Sequence, residues 1–146
     1  MRLTARVSVL ASATLVIIWG CLLSLVARDL QEHPASGTHH HPQAAANKNP
    51  VPADAKSVAA GQKLFEKYCT NCHGDKGKGD GMEGEELNPR PADLTDAEWK
   101  HGDTDGEIYT VIRDGVKGTG MKAFGSKMTS HELWDVVNYV RTLGPK

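Results

Sequence analysis

The chain has 146 residues and a formal net charge of -1, from 17 Lys plus Arg against 18 Asp plus Glu. This near balance excludes the strongly basic composition of nucleic-acid-binding proteins and gives no bulk attraction to anionic lipid. Only three residues are cysteine, which excludes a disulfide-rich scaffold.

The first predicted element is a membrane-spanning helix. Residues 7–27 form an apolar run of 21 positions without a charged side chain, and at about 1.5 Å per residue this run crosses roughly 30 Å of hydrocarbon. It is long for the core of a signal peptide, and Leu25 occupies a position where cleavage at the end of the run requires a small side chain. We therefore predict an uncleaved transmembrane anchor over residues 1–30. The alternative is a lipoprotein signal ending at Cys21, which the bulky Trp19 disfavours.

The charges around this run predict its orientation. Arg2 and Arg6 precede it, whereas Arg28 is followed directly by Asp29 and then by Glu32. The positive-inside rule then holds the N-terminus in the cytoplasm. In a bacterium, we expect a single-pass protein of the inner membrane with the rest of the chain in the periplasm.

Residues 31–54 are predicted to be a flexible linker, because they contain four prolines and almost no large apolar side chain. A flexible chain of this length has an end-to-end distance of about 25 Å. Its histidines suggest a copper or zinc site, but no cysteine or methionine accompanies them, which favours a polar tether. These histidines are His33, His39, His40 and His41.

The first helix of the following domain, residues 55–146, is predicted to begin near residue 55. Apolar and small residues recur there at the spacing of one helix face and lead directly into a cysteine motif. They are Gly61, Leu64, Phe65 and Tyr68.

The cysteine motif is C-x-x-C-H, formed by Cys69, Cys72 and His73, and it is the attachment signature of covalently bound haem c. Two cysteines three positions apart lie on one helical turn, where both sulfurs can form thioethers on the same side of the porphyrin. His73 then lies under the iron as its proximal ligand. Its other ring nitrogen needs an acceptor, usually a backbone carbonyl, to fix the tautomer.

Three other interpretations of this motif each lack a feature in the sequence. A structural zinc site requires a second cysteine pair or a histidine pair at finger spacing. A thioredoxin-like dithiol requires a β-α-β pattern around the cysteines. A simple disulfide leaves His73 without a role.

Two further helices are predicted to begin near Asp105 and Ser130. Gly115 and Gly144 are placed to end them. Each starts with a capping-box pattern, in which a threonine precedes a glutamate by three residues. The two pairs are Thr104 with Glu107 and Thr129 with Glu132.

The fold class is predicted to be all-α, because no run of alternating apolar residues is long enough for a sheet. Thr95 with Glu98 suggests one short extra turn, which carries Trp99. The whole chain has only two phenylalanines, so the apolar core is limited and a buried haem would complete it. We therefore predict that the haem-free polypeptide is largely unfolded.

Met121 is predicted to be the distal ligand of the iron. It lies in a glycine-rich loop, residues 118–124, which lets the backbone bring a thioether up to the open face of the ring. A methionine ligand favours ferrous iron and raises the reduction potential. The alternatives are that Met121 fills a gap in the core or that another side chain is the ligand. The other candidates are Met128, Met82, His101 and His131.

In the order of these motifs, residues 55–146 resemble a class I c-type cytochrome. The matching features are the haem motif, a glycine loop at residues 74–81, a Pro-Ala-Asp-Leu-Thr stretch at residues 91–95, Gly-Met-x-x-Phe at residues 120–124, and an aromatic last helix. The greatest similarity is to small monohaem domains attached to haem-copper oxidases and related respiratory complexes.

This resemblance implies details of packing. The first and last helices should cross near Gly61, with Phe65 against Tyr139. Pro89 or Pro91 should supply the carbonyl that accepts a hydrogen bond from His73. Many such cytochromes have proline directly after the methionine ligand, whereas Lys122 stands there in this sequence.

The glycine loop at residues 74–81 is interpreted as a tight turn beside the haem edge. It lacks the Gly-Lys-Ser/Thr of a phosphate-binding loop, and it lacks the carboxylate spacing and final glutamate of a calcium loop.

Three functions remain as hypotheses. The first is a membrane-tethered electron carrier that exchanges single electrons with redox proteins, has no small-molecule substrate and is not an enzyme. The second is a haem enzyme or gas sensor, which needs an open or labile sixth position on the iron. The third is a haem c subunit fixed in an oxidase or dehydrogenase complex.

Lysines in the two loops beside the ligands suggest an acidic docking surface on the partner. The alternative is a scatter of solvated lysines that nearby acidic residues balance. The lysines are Lys76, Lys78, Lys117, Lys122 and Lys127.

Overall fold

The computed structural model describes residues 41–145, and these residues form five helices and no strand. The predicted all-α class is therefore confirmed for this part of the chain. The helices are α1 (Pro42–Ala45), α2 (Ala55–Tyr68), α3 (Thr70–His73), α4 (Asp105–Asp114) and α5 (Ser130–Leu143).

Helix α2 begins at a polar cap and turns one face toward α5. The Asp54 carboxylate accepts a hydrogen bond from Ser57 N at 2.8 Å, which satisfies one of the free amides of the first turn. The buried residues Ser57, Gly61 and Phe65 share the inner face of the helix. Phe65 is only 1% exposed, and its ring lies 5.3 Å from that of Tyr139. The predicted contact between these two aromatic residues is confirmed.

Both predicted capping boxes are present. In α4, Glu107 N donates to the Thr104 hydroxyl, and Thr104 N donates to the Glu107 carboxylate. The same exchange joins Thr129 and Glu132 at the start of α5. Helix α4 ends at Gly115, whose φ of 71° is a left-handed conformation that favours glycine.

The core lies between α2, α4 and α5. Leu133, Val136 and Val137 of α5 are almost inaccessible to solvent. Trp134 of the same helix stacks on Tyr109 of α4, with ring centroids 4.2 Å apart. Helix α5 therefore contributes most of the apolar surface on which the other two helices pack.

The crossing of α2 and α5 depends on Gly61. A Cβ atom at this position would overlap the carbonyl oxygen of Asp135 and approach the Cβ of Tyr139 to 3.0 Å. Since the Asp135 oxygen belongs to a helix backbone, it cannot rotate away. The crossing at Gly61 is therefore confirmed, and only glycine allows it.

We expect Gly61→Val to lower the free energy of unfolding of the haem-loaded domain by about 3 kcal/mol, because the two helices must separate. Chemical denaturation followed by circular dichroism measures this change. Ala59→Val is the matched control, since Ala59 is an exposed residue of the same helix. Equal stability of the two variants would contradict the close crossing.

The expected linker is wrong for residues 41–54, which pack on the domain. His41 N donates to the Glu107 carboxylate at 2.8 Å, and Asn49 Nδ2 donates to Asn138 Oδ1 at 2.8 Å. Ala44 and Val51 are buried. These two buried side chains hold the segment together with its polar groups, whose partners lie more than sixty positions away in the sequence. The rest of the predicted linker, residues 31–40, lies outside the described residues.

We call residues 41–54 the N-terminal strap and expect it to stabilise the domain. We compare two haem-loaded chains, one that begins at His41 and one that begins at Asp54. The longer chain should have a free energy of unfolding about 2 kcal/mol higher. The shorter chain lacks the buried Val51 side chain and the Val51 and Pro52 carbonyls that accept from Asn138. Denaturant titration of both chains tests this difference. Val51→Ala in the longer chain should give a smaller loss of the same sign. Indistinguishable unfolding curves for the two lengths would refute a stabilising strap.

The stretch before α4 differs from its predicted turn. Thr95 does not cap a helix through Glu98. Instead, the Asp93 carboxylate accepts from Thr95 N at 2.8 Å and from the Thr95 hydroxyl at 2.6 Å, while Asp96 accepts from Glu98 N. Aspartate side chains commonly accept a hydrogen bond from the backbone two residues further on, and here these turns take the place of the expected helical turn.

The predicted transmembrane helix, residues 7–27, lies outside the described residues, as does Cys21. Within residues 41–145, no helix has the length and apolar character needed to cross a membrane.

Candidate haem site

The two cysteines of the motif lie at the junction of α2 and α3. Cys69 ends α2 through a hydrogen bond from its amide to the Phe65 carbonyl at 2.8 Å. The next turn closes on the Cys69 carbonyl, which accepts from Cys72 N at 3.1 Å and from His73 N at 2.8 Å. Both thiols are free and half-buried. The three residues are thus held on one compact turn, as the motif predicts.

The Cys69 thiol is protonated at neutral pH. Burial, and secondly the neighbouring Cys72, raise its pKa to about 12. The surroundings of Cys69 therefore disfavour the thiolate, which is the reactive form of a free cysteine.

The His73 ring is oriented by a backbone carbonyl. Its Nδ1 lies 3.2 Å from Ala92 O, and because a carbonyl oxygen only accepts, Nδ1 carries the hydrogen. Nε2 then has a free lone pair for a metal. Burial lowers the pKa of His73, although the bond to Ala92 partly opposes this effect. The neutral imidazole that a metal requires is therefore the favoured form.

The implied acceptor, Pro89 or Pro91, is wrong, since Ala92 provides the carbonyl. The carbonyl of Pro91 instead faces Gly79, where a Cβ atom would lie 2.5 Å from it. The Ala92 segment is fixed by the bond from Leu94 N to Gly77 O, which is 2.7 Å long. No signal in the sequence identifies Ala92, because any residue can offer a backbone carbonyl.

The glycine loop after His73 folds back on α3. Amides of this loop and of the stretch directly after it donate to the free carbonyls at the end of the helix: Gly79 N to His73 O, Gly81 N to Cys72 O and Glu83 N to Asn71 O, at 2.9 to 3.2 Å. The left-handed φ of 74° at both Gly77 and Gly79 permits these tight turns. This agrees with the expected turn beside the motif.

The Met121 loop is fastened to the end of α4. Val116 N donates to Met121 O at 3.0 Å, and Phe124 N donates to Ile112 O at 3.1 Å. Gly115 permits this close return, because a Cβ atom there would lie 2.7 Å from the Met121 oxygen. The loop backbone is therefore held on both sides of Met121.

Two contacts bring this loop to the cysteine motif. Gly120 lies directly against the side chain of Leu87, which leaves no space for a Cβ atom. The amide of Leu87 in turn donates to Gly84, a residue that packs on the Cys72 carbonyl. On the other side of Met121, the Phe124 ring contacts that of Tyr68 at 6.1 Å. Met121 is thus flanked by residues that contact the neighbours of Cys69 and Cys72.

The alternative ligands have other surroundings. Met128 is 5% exposed and belongs to the core, whereas Met82 is 87% exposed. His131 is an exposed residue of α5 whose Nε2 lies 3.8 Å from the Asp135 carboxylate. His101 is half-buried and has a partner. None of these four residues is flanked, as Met121 is, by the contacts of Gly120 with Leu87 and of Phe124 with Tyr68.

The residues around the motif fit a haem. Several apolar side chains pack against the core while remaining only partly buried, which is the pattern expected where a large apolar ring completes the packing. The donor set, two thiols and an imidazole with a free Nε2, matches covalent attachment and proximal ligation. The partly buried residues include Leu64, Tyr68, Leu94, Trp99, Phe124, Tyr139 and Leu143.

Elsewhere, residues 41–145 contain no group of three or more histidine, cysteine, aspartate or glutamate side chains placed to hold a metal. The linker histidines 33, 39 and 40 lie outside the described residues, and His41 has a partner.

Comparison with protein families gives a match over more than half of the chain. The family model described as cytochrome c oxidase, cbb3-type, subunit III matches residues 56–140. The matched region begins with α2 and ends within α5, so it includes the cysteine motif, the Ala92 segment and the Met121 loop.

Two curated relatives are each 32% identical to this chain over 64% of its length. One is the cbb3-type cytochrome c oxidase subunit FixP of Azorhizobium caulinodans, of which the match covers 30%. The other is the dehydrogenase subunit of a quinone alcohol dehydrogenase from Acetobacter aceti, of which it covers 11%. The chain therefore spans less than a third of the length of these relatives.

Solved structures give the same fold. A chain of the reducing HAO-like protein complex of Kuenenia stuttgartiensis is similar with a TM-score of 0.62 and 30% identity, over 66% of this chain and 47% of that one. Cytochrome cL of Methylophaga aminisulfidivorans is similar with a TM-score of 0.51 and 22% identity, over 64% of this chain and 55% of that one. The second likeness supports a cytochrome c fold alone.

Proposed function

Because the chain belongs to the family of cbb3-type cytochrome c oxidase subunit III, we propose that it transfers single electrons through one covalently bound haem c whose axial ligands are His73 and Met121. The bound haem supplies a one-electron ferric/ferrous couple. The two contacts that place the Met121 loop beside the cysteine motif are the observation that carries this proposal.

The residues of the chain have separate roles in this function. Cys69 and Cys72 would hold the haem covalently. His73 would offer Nε2 to the iron, because its Nδ1–H donates to the Ala92 carbonyl. Met121 offers a thioether from a loop fastened to α4. A haem held by both His73 and Met121 would leave no position on the metal for a substrate, so the domain would act as a carrier and not as a catalyst.

We propose that the carrier is tethered to the inner membrane, with its N-terminus in the cytoplasm and its haem domain in the periplasm. The apolar run of residues 7–27 and the arginines before it support this topology. Because the strap packs on the domain, residues 41–54 are not part of a flexible tether.

Redox proteins are the proposed partners. The five lysines singled out in the sequence are all exposed, as docking to an acidic partner requires. They share this surface with exposed acidic residues of the glycine loop and the stretch after it, including Asp80, Glu83, Glu85 and Glu86. Lysine-guided docking stays a prediction.

A second candidate is a haem c subunit fixed in an oxidase or dehydrogenase complex. The names of the two curated relatives favour it, since both are subunits of such enzymes. The two candidates differ in assembly and not in the chemistry of the domain. Purification in mild detergent separates them: a fixed subunit retains its complex at constant stoichiometry, whereas a free carrier is recovered alone.

A spectroelectrochemical titration of the full chain, matured with haem c, tests the electron-transfer function. We expect a reversible Nernst curve for one electron per chain with a positive midpoint potential. More than one haem per chain, or an irreversible titration, would contradict the proposal. Steady consumption of peroxide or hydroxylamine by the reduced chain would favour an enzyme instead.

A further inference from the structure

We propose that Thr119 is a positioning residue that holds Met121 in place as the distal ligand. This inference rests on the proposed function, because it concerns the loop that presents the methionine. Sequence reasoning gave Thr119 no role, since a single threonine between two glycines resembles an ordinary loop residue.

The Thr119 hydroxyl makes two hydrogen bonds in opposite directions. It donates to Val116 O at 2.8 Å and accepts from Met121 N at 3.1 Å. Val116 is buried, 5% exposed, so its carbonyl is a fixed point of the domain. The hydroxyl therefore links the amide of Met121 to the core.

Backbone bonds complete a closed arrangement around this hydroxyl. Val116 O also accepts from Thr119 N at 3.2 Å, and Val116 N donates to Met121 O at 3.0 Å. Both polar backbone groups of Met121 are thereby held, the carbonyl by Val116 and the amide by Thr119. Without the hydroxyl, only the carbonyl would be held by these bonds.

The residues next to Thr119 and Met121 add little conformational restraint of their own. Gly118, with φ of 78°, and Gly120 flank Thr119, and glycine has the greatest conformational freedom of all residues. Lys122 follows Met121 with an exposed side chain and no ring to restrict its φ. The Thr119 hydroxyl is the side-chain group seen to restrain the Met121 amide in this stretch.

Loss of this restraint should raise the fraction of molecules in which the thioether is detached. An external ligand then binds more tightly in apparent terms, because its apparent dissociation constant is the intrinsic value divided by the open fraction. For the loss of a hydroxyl that makes two hydrogen bonds, we expect an effect of about tenfold.

The test measures the binding of imidazole to the ferric, haem-loaded full chain. Thr119→Val removes the hydroxyl and keeps the branched shape, and it should tighten imidazole binding about tenfold. Thr119→Ser keeps the hydroxyl and should bind imidazole like the natural chain. Thr142→Val is the matched control, because Thr142 on α5 also donates to a backbone carbonyl, Tyr139 O, and should leave imidazole binding unchanged.

Met121→Leu separates failure of this inference from failure of the proposed function. If the natural chain binds imidazole as tightly as Met121→Leu, methionine ligation is wrong and the Thr119 role falls with it. If the natural chain binds more weakly than Met121→Leu but equals Thr119→Val, only the Thr119 role is wrong. If Thr119→Val lowers the denaturation midpoint without changing imidazole binding, Thr119 has only a structural role and the inference is wrong.

Discussion

Replacing Met121 by leucine is expected to lower the reduction potential of the haem-loaded chain by a tenth of a volt or more, against the roughly 0.8 V range that axial ligands span. Leucine has nearly the volume of methionine but no sulfur, so the ligand is lost with little change in side-chain volume. The contacts of Gly120 with Leu87 and of Phe124 with Tyr68, which hold the loop, do not involve the substituted side chain. Since a thioether favours ferrous iron, its removal favours the ferric state. The vacated position should also accept carbon monoxide promptly in the reduced protein.

The measurement is a redox titration together with proton NMR of the reduced protein. When the sulfur of a methionine is bonded to haem iron, its methyl group lies in the ring current and resonates far from other methyl groups. One such signal should therefore be present in the natural chain and absent from Met121→Leu. Met128→Leu and Met82→Leu are the matched controls and should keep both the signal and the potential. Loss of the signal in Met128→Leu, with its retention in Met121→Leu, would assign the ligand to Met128.

The second large effect is expected from removal of haem attachment. The double variant Cys69→Ala/Cys72→Ala, prepared without haem, should be largely unfolded. The apolar residues that only partly cover the core, among them Leu94 and Trp99, would lose the ring that completes their packing. A domain of this size has a small margin of stability, so the loss of its largest apolar group exceeds that margin.

Far-UV circular dichroism of the haem-free double variant measures this effect, with the haem-loaded natural chain as reference. Cys21→Ala is the matched control, because it removes the third cysteine and leaves the attachment motif intact. That variant should retain covalent haem and full helicity. Near-native helicity in the haem-free double variant would show that the polypeptide folds without its cofactor.

The helices could be predicted because their ends have local chemical signals. Thr104 with Glu107 and Thr129 with Glu132 satisfy free backbone groups within four residues, so the sequence alone contains the whole interaction. The same holds for the Cys69, Cys72 and His73 motif, in which one helical turn sets the geometry. These features depend on no distant part of the chain.

The strap could not be predicted because its partners are distant. Pro50 and Pro52 indicate a linker by composition, and only Ala44 and Val51 are buried within the segment. Its attachment depends on Glu107 and Asn138, which lie more than sixty residues further along the chain. Composition counts apolar residues but does not reveal that buried polar groups elsewhere require partners.

The supporting groups of the haem site were missed for a similar reason. The acceptor of His73 is the backbone carbonyl of Ala92, and the side chain at that position contributes nothing to the bond. The role proposed for Thr119 depends on a hydroxyl whose partners, Val116 and Met121, are close in sequence but form no standard capping pattern. The proposed ligands have sequence signatures, whereas the groups that orient them are identified only from the geometry of the fold.

The central claim, that the chain fills both axial positions of its haem, is tested most directly with carbon monoxide. The optical spectrum of the reduced, haem-loaded full chain is recorded before and after the gas is added. We predict no change, because Met121 occupies the sixth position. A prompt shift to the spectrum of a carbonyl complex would contradict the account and indicate an open site suited to catalysis or gas sensing.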